Sequence, residues 1–167
     1  MDEDRVDLII QKWTAARPDV DSSSMGVIGR VLRTARHLHR ELAPVYEPAG
    51  LDFGLFDVLA TLRRIGPPYR LAPSELNQWC MLTSGAMTAR LDRLERAGLV
   101  QRLPDPDDRR GLLVELSPAG RALIDELVVE HVANQERLLE PLTADERDQL
   151  ARLLRKLLAT LEPPPGG

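Results

Sequence analysis

A single cysteine, Cys80, stands among the 167 residues. It excludes an intrachain disulfide, so the fold has to rest on a hydrophobic core. No apolar run approaches the roughly 18 residues that a membrane-spanning helix needs, which argues against a membrane protein. The start, Met1-Asp2-Glu3-Asp4, is acidic and lacks the charged-then-apolar pattern of a secretion signal. The single cysteine and the missing secretion signal together point to the cytoplasm. An excess of positive charge is missing too: the net charge is −4. Nucleic-acid binding therefore cannot rest on overall charge and would need a local basic surface. There is no glycine-rich phosphate loop, no nucleophile elbow and no HExxH pair, so the common enzyme signatures are absent and no cofactor is implied. His37 and His39 diverge on a helix and cannot chelate together; with His131 they give only a minor metal reading.

What is present is ordinary globular material, 43% hydrophobic and 29% charged. Val6, Ile9, Ile10 and Trp13 follow helical spacing and predict a short helix over about 4–16, stopped at Arg17-Pro18. Asp21 to Ser24 offers N-cap side chains for a second helix over about 24–46. A third helix is expected over about 53–65, ended by Gly66-Pro67-Pro68. Two closely spaced helices follow, about 72–80 and 84–97, the second closed by Gly98. Helices joined by so short a turn are the helix-turn-helix signature. Leu99 to Leu103 and Gly111 to Leu116 then read as a β-hairpin with a polar tip. Ser117-Pro118 opens a long helix, and Thr143 with Glu146 opens a last, leucine-striped one to about Leu161.

The fold class expected is mainly α with a small β-hairpin wing. Residues 51–116 form a winged helix-turn-helix DNA-binding domain. Residues 1–50 supply an added helix and the first dimerisation helix, residues 117–162 the C-terminal dimerisation helices, and 163–167 a flexible tail. The leucine-rich flanking helices would expose too much apolar surface in a lone chain, which predicts a homodimer.

This arrangement suits duplex DNA, whose major groove admits a helix. Thr83, Ser84, Gly85 and Thr88 are small or polar residues at the entering end of the second close helix, and Ser74 sits near the start of the first. Arg93 and Arg96 are placed for phosphates or for an ion pair with Asp92. Arg109 and Arg110 occupy the wing tip, where a narrow minor groove attracts arginine, and Asp108 is placed to hold Arg110 by a charge-assisted hydrogen bond.

The run from Leu82 to Gly120 resembles the MarR family of bacterial transcription factors. Asp108 and Arg110 fill its Asp-x-Arg wing pattern, and Leu116, Ser117 and Gly120 fill the strand end that follows. The resemblance implies a triangular homodimer whose two winged domains bind a pseudo-palindrome in double-stranded DNA. The extra N-terminal helix with Trp13 is similar to the PecS/UrtR subgroup, whose members respond to urate or related purines. By that resemblance Trp13, Arg17, Asp57 and Arg90 would bind the ligand. Trp13 would stack on a planar anion, Arg17 neutralise it and Asp57 accept ring N–H bonds. Arg90, on the reading helix, would couple the site to DNA. Plainer roles stand beside these: Trp13 as a packing anchor, Asp57 and Arg90 as a structural ion pair. Cys80 could sense peroxide, although a buried inert thiol fits its position better. A helical protein-interaction module without DNA binding is the alternative of a different class.

Overall fold

The structure, a computed structural model, describes residues 3–81, 87–108 and 110–162. The expected flexible tail at 163–167 therefore lies outside the described residues.

Helix α1 spans Arg5–Ala16. Asp4 caps it by accepting the Val6 and Asp7 N–H groups at 2.6 and 3.1 Å, and Asp7 returns a carboxylate to the Asp4 N–H at 2.9 Å. The reciprocal pair satisfies donors that a helix start leaves open. Helix α2, Ser24–Tyr46, carries Arg30, which reaches back to Asp4 at 2.9 Å and Asp7 at 2.7 Å. Buried Val6 packs where Gly29 leaves room: a Cβ there would come within 3.2 Å of it. The expected side-chain cap on α2 is not made. Ser23 contributes none, and Asp21 instead accepts the Ser23 N–H at 2.9 Å, fixing the turn before the helix.

A short 3-10 turn, Glu47–Ala49, leads to helix α3, Phe53–Arg64, capped by Asp52 through the Leu55 N–H at 3.0 Å. Helix α3 is the centre of the molecule. Leu55, Phe56, Val58, Leu59 and Leu62 are all buried, because α2, α6 and the reading helices pack around it. Strand β1 (Arg70–Leu71), helix α4 (Pro73–Trp79), helix α5 (Met87–Arg96), strand β2 (Val100–Pro104) and strand β3 (Leu112–Leu116) complete the winged unit. The sheet is antiparallel in the order β1-β3-β2, with Leu71 opposite Val114 and Arg102 also opposite Val114. The hairpin was legible; β1 was not, because two residues are too few for an alternating pattern.

Helix α6, Pro118–Leu139, starts as the sequence predicts, with Ser117 Oγ accepting the Gly120 N–H at 2.9 Å. Helix α7, Ala144–Leu158, opens on a capping box between Thr143 and Glu146 and buries no residue. Its leucines, from Leu150 to Leu158, face solvent in the single chain, as do Leu8, Ile9 and Trp13 of α1, Val27 and Leu32 of α2, and Val129 of α6. Among the described residues no helix is long and apolar enough to cross a membrane.

Candidate nucleic-acid interface and effector site

Met87, Leu91 and Leu94 recur at helical spacing and are buried, so one face of α5 is committed to the core. Thr88 and Arg93 lie on its exposed side, and Ser74 is exposed in the first turn of α4. Thr83, Ser84 and Gly85 lie outside the described residues. Arg93 is bound to Asp52, the cap of α3, at 2.7 Å. The expected pairing of Asp92 with Arg93 or Arg96 is not what forms. The Asp92 carboxylate meets Arg102 of β2 at 2.6 Å, and Arg96 donates only to the Asp92 backbone carbonyl, at 3.1 Å. Arg102 also pairs with Glu95. A strand arginine facing two carboxylates one helical turn apart outcompetes the local pairs, since both carboxylates point at it together.

The wing tip is built by its own aspartates. Asp105 accepts the Asp107 N–H at 2.9 Å, and Asp108 accepts the backbone N–H of Arg110 at 2.9 Å. The expected charge-assisted bond from Asp108 to Arg110 forms on the Arg110 backbone N–H, so the carboxylate shapes the turn. Gly111 closes the loop, where a Cβ would stand 2.9 Å from the Asp105 Cβ. Arg110 is exposed at this tip, and Arg109 lies outside the described residues.

Behind the reading helix lies a buried carboxylate. Asp57 is 3% exposed. It accepts the Met81 N–H at 2.6 Å and stands 3.8 Å from Arg64, whose guanidinium also donates to the Trp79 carbonyl. The carboxylate thus grips the turn that follows α4. Burial pushes the Asp57 carboxyl above its usual range, against the opposing pull of the Met81 N–H, Arg64 and Arg90. Arg90 lies across Gly54: a Cβ at that glycine would fall 2.5 Å from its Nε. Missing side-chain bulk on α3 is what lets the α5 arginine lie against that helix, from where its charge acts on Asp57. Cys80 joins the same cluster, its sulfur 3.5 Å from the Thr61 hydroxyl. Burial, aided by the Asp57 charge, raises the Cys80 thiol and so disfavours the reactive thiolate.

Within the single chain, then, Arg90 lies near enough for its charge to act on Asp57, while Trp13 and Arg17 stay on the surface. Trp13 is 46% exposed, and Arg17 forms a two-point pair with Asp19 at 2.8 and 2.6 Å. Sequence reading missed Arg64, Thr61 and Arg102. Arg64 had a signal, because positions 57 and 64 share a face about two turns apart on one helix. Among the described residues no cluster of His, Cys, Asp or Glu is arranged to hold a metal; His39 and His131 lie against Phe53 and Phe56 instead.

A protein-family model described as MarR family matches residues 54–112. The HTH-type transcriptional regulator PecS of Dickeya dadantii is 40% identical over 149 residues, which cover 89% of this chain and 90% of PecS. The chain belongs to the MarR family. Its members are DNA-binding transcriptional regulators, and a mutant MarR of Escherichia coli complexed with operator DNA matches with a TM-score of 0.69 at 34% identity, covering 83% of this chain and 99% of that one. BpsR of Bordetella bronchiseptica, whose DNA binding is regulated by 6-hydroxynicotinic acid, matches with a TM-score of 0.70 at 28% identity, covering 79% and 93%. The MarR wing pattern has a physical basis in this chain. Ser117 caps α6 and donates its hydroxyl to the Gly98 carbonyl at 2.6 Å. Gly120 lets the Leu99 carbonyl come so close that a Cβ would lie 2.0 Å from its oxygen. The strand end and the helix start are one joint.

Proposed function

We propose that the protein is a homodimeric repressor that holds a pseudo-palindromic operator and releases it when a small planar anion, of which urate is the type, binds beside α3. Residues 51–116 form the DNA-reading unit. Thr83, Ser84, Gly85 and Thr88 enter the major groove, with Ser74 and Arg93 at its edge, and Arg109 and Arg110, on the turn shaped by Asp108, reach the adjacent minor groove. Residues 1–50 and 117–162 bury their exposed apolar faces against a second copy.

The observation that carries the ligand reading is the position of Arg90. It belongs to the reading helix, yet its side chain lies over Gly54 of α3, and its charge favours the buried Asp57 carboxylate. A ligand that competes for Arg90 would shift α5, and a state with shifted α5 binds DNA less well. Trp13 supplies an exposed stacking face and Arg17 a cation, brought to the site as the dimer assembles. BpsR supports the class of ligand, since a hydroxylated heteroaromatic acid regulates its DNA binding.

The test has two arms. Binding to the chain's own upstream DNA should weaken steeply with salt, because phosphate contacts release counterions. A log–log slope near zero would remove the DNA reading in favour of a protein-interaction module. Urate should then lower operator affinity in the wild type and lose that effect in Trp13→Ala and Asp57→Asn. Calorimetry showing no binding of urate, xanthine or hypoxanthine would remove the purine reading and leave DNA binding standing.

A further inference from the structure

The DNA-reading surface has two parts, the entering end of α5 and the tip of the wing. They can engage one duplex only if the distance and angle between them are held. The root of the hairpin is joined to α5 by the Leu99 N–H bond to the Leu94 carbonyl at 2.9 Å and by a shared apolar core that includes Leu91, Leu94, Val100 and Val114. Nearer the tip, a side-chain link extends that joint. Arg102 leaves β2 three positions before the tip turn begins at Asp105 and meets Asp92 at 2.6 Å and Glu95, both on α5. Its side chain is 24% exposed, so the contact is half sheltered from solvent. The opposite flank of α5 is tied to α3 by Arg93 on Asp52 and by Arg90 over Gly54. The helix therefore sits between two anchored neighbours, and beyond the apolar root the wing side is held by the Arg102 guanidinium with its two acceptors.

We infer that Arg102 is a positioning residue for operator binding, a strut that fixes the wing tip relative to the reading helix and does not itself touch DNA. A planar, two-pronged guanidinium resists rotation where a lone ammonium would act as a swivel. This rests on the reading that the wing contacts DNA. A purely stabilising ion pair at this exposure would change folding slightly and leave the wing's contribution to binding untouched.

The experiment is a double-mutant cycle on the full-length dimer, with operator affinity read by fluorescence anisotropy at fixed salt. Arg110→Ala alone should weaken binding about tenfold, in the range of a lost arginine contact to DNA. Arg102→Gln alone should weaken it to a similar extent, with the dimer mass and thermal midpoint close to wild type. In the Arg102→Gln background, Arg110→Ala should cost less than about twofold, because a wing already out of place has little contact to lose. Arg102→Lys should fall between. The double substitution Asp92→Asn and Glu95→Gln, which leaves Arg102 in place and removes its acceptors, should reproduce Arg102→Gln. Equal penalties for Arg110→Ala in both backgrounds would overturn the strut while sparing the wing contact. A wild-type protein indifferent to Arg110→Ala would overturn both.

Discussion

Gly120→Ala is the sharpest perturbation available to the joint between wing and dimerisation helix. The added Cβ would stand 2.0 Å from the Leu99 carbonyl oxygen and 2.9 Å from its carbon. An ordinary carbon–oxygen contact is about 3.3 Å, so the first turn of α6 must retreat by roughly 1.3 Å from the chain leading into β2. Backbone faces the new methyl, so no side-chain rotation relieves it. A retreat of that size breaks the Ser117 N–H bond to Leu99, now 3.1 Å, and the Ser117 hydroxyl bond to Gly98, now 2.6 Å. Each is worth about 0.5–1.5 kcal/mol, and residual overpacking adds about 1–3 kcal/mol. The better helix propensity of alanine returns about 1 kcal/mol. The net expectation is a loss of about 3 kcal/mol. Urea unfolding followed by circular dichroism, at one protomer concentration, measures it; at a slope of about 2 kcal/mol/M the midpoint falls by about 1.5 M. Operator affinity should fall even without urea, since Leu99 leads directly into the wing. A loss under about 0.5 kcal/mol would refute the close approach and with it the stated role of the glycine.

Gly54→Ala provides the contrast. Its Cβ would meet the flexible Arg90 side chain at 2.5 Å. Stability should therefore stay within about 1 kcal/mol of wild type, while Arg90 is displaced and the urate response and operator affinity both change; a destabilisation as large as that of Gly120→Ala would contradict this. Asp57 gives a pH prediction. Its folded-state carboxyl titrates above the unfolded value, so its contribution to stability falls as pH rises from about 3.9 through the raised folded value. Asp57→Asn keeps an acceptor for the Met81 N–H and removes the buried charge. The variant should be at least as stable as wild type at pH 7, with its advantage shrinking as pH is lowered through that window. A variant less stable at pH 7 than wild type, and closer to it at pH 4, would mean that Arg64 and Arg90 outweigh burial.

Helix starts were the most legible part of the chain because caps are local chemistry: Ser117-Pro118 and Thr143 with Glu146 act where the sequence places them. Asp4, Asp7 and the failed cap at Ser23 show the limit, since which aspartate closes a helix depends on the turn before it. Contacts between elements carry no periodic signal. Asp92 had two arginines nearby on its own helix, and the partner that holds it comes from the next strand. The influence of Arg90 on Asp57 was suggested only by the family pattern, and the room that Gly54 leaves for Arg90 was invisible without the packing of α5 on α3. Trp13 and Arg17 stay on the surface of the single chain, Trp13 on a helix docked against α2 and Arg17 paired with Asp19.

The joint at Ser117 and Gly120 also makes α6 a lever. A helix of 22 residues is about 33 Å long at about 1.5 Å per residue, and its first turn is locked to the end of the wing. A tilt of about 5° at its far end would carry the reading head sideways by about 3 Å, close to the rise of one base pair of about 3.4 Å. In the proposed dimer on a pseudo-palindrome, two heads on a twofold axis would match half-sites about 34 Å apart. A small angular change where two chains meet is thus enough to put both heads out of step with the double helix, without unfolding or reshaping either one.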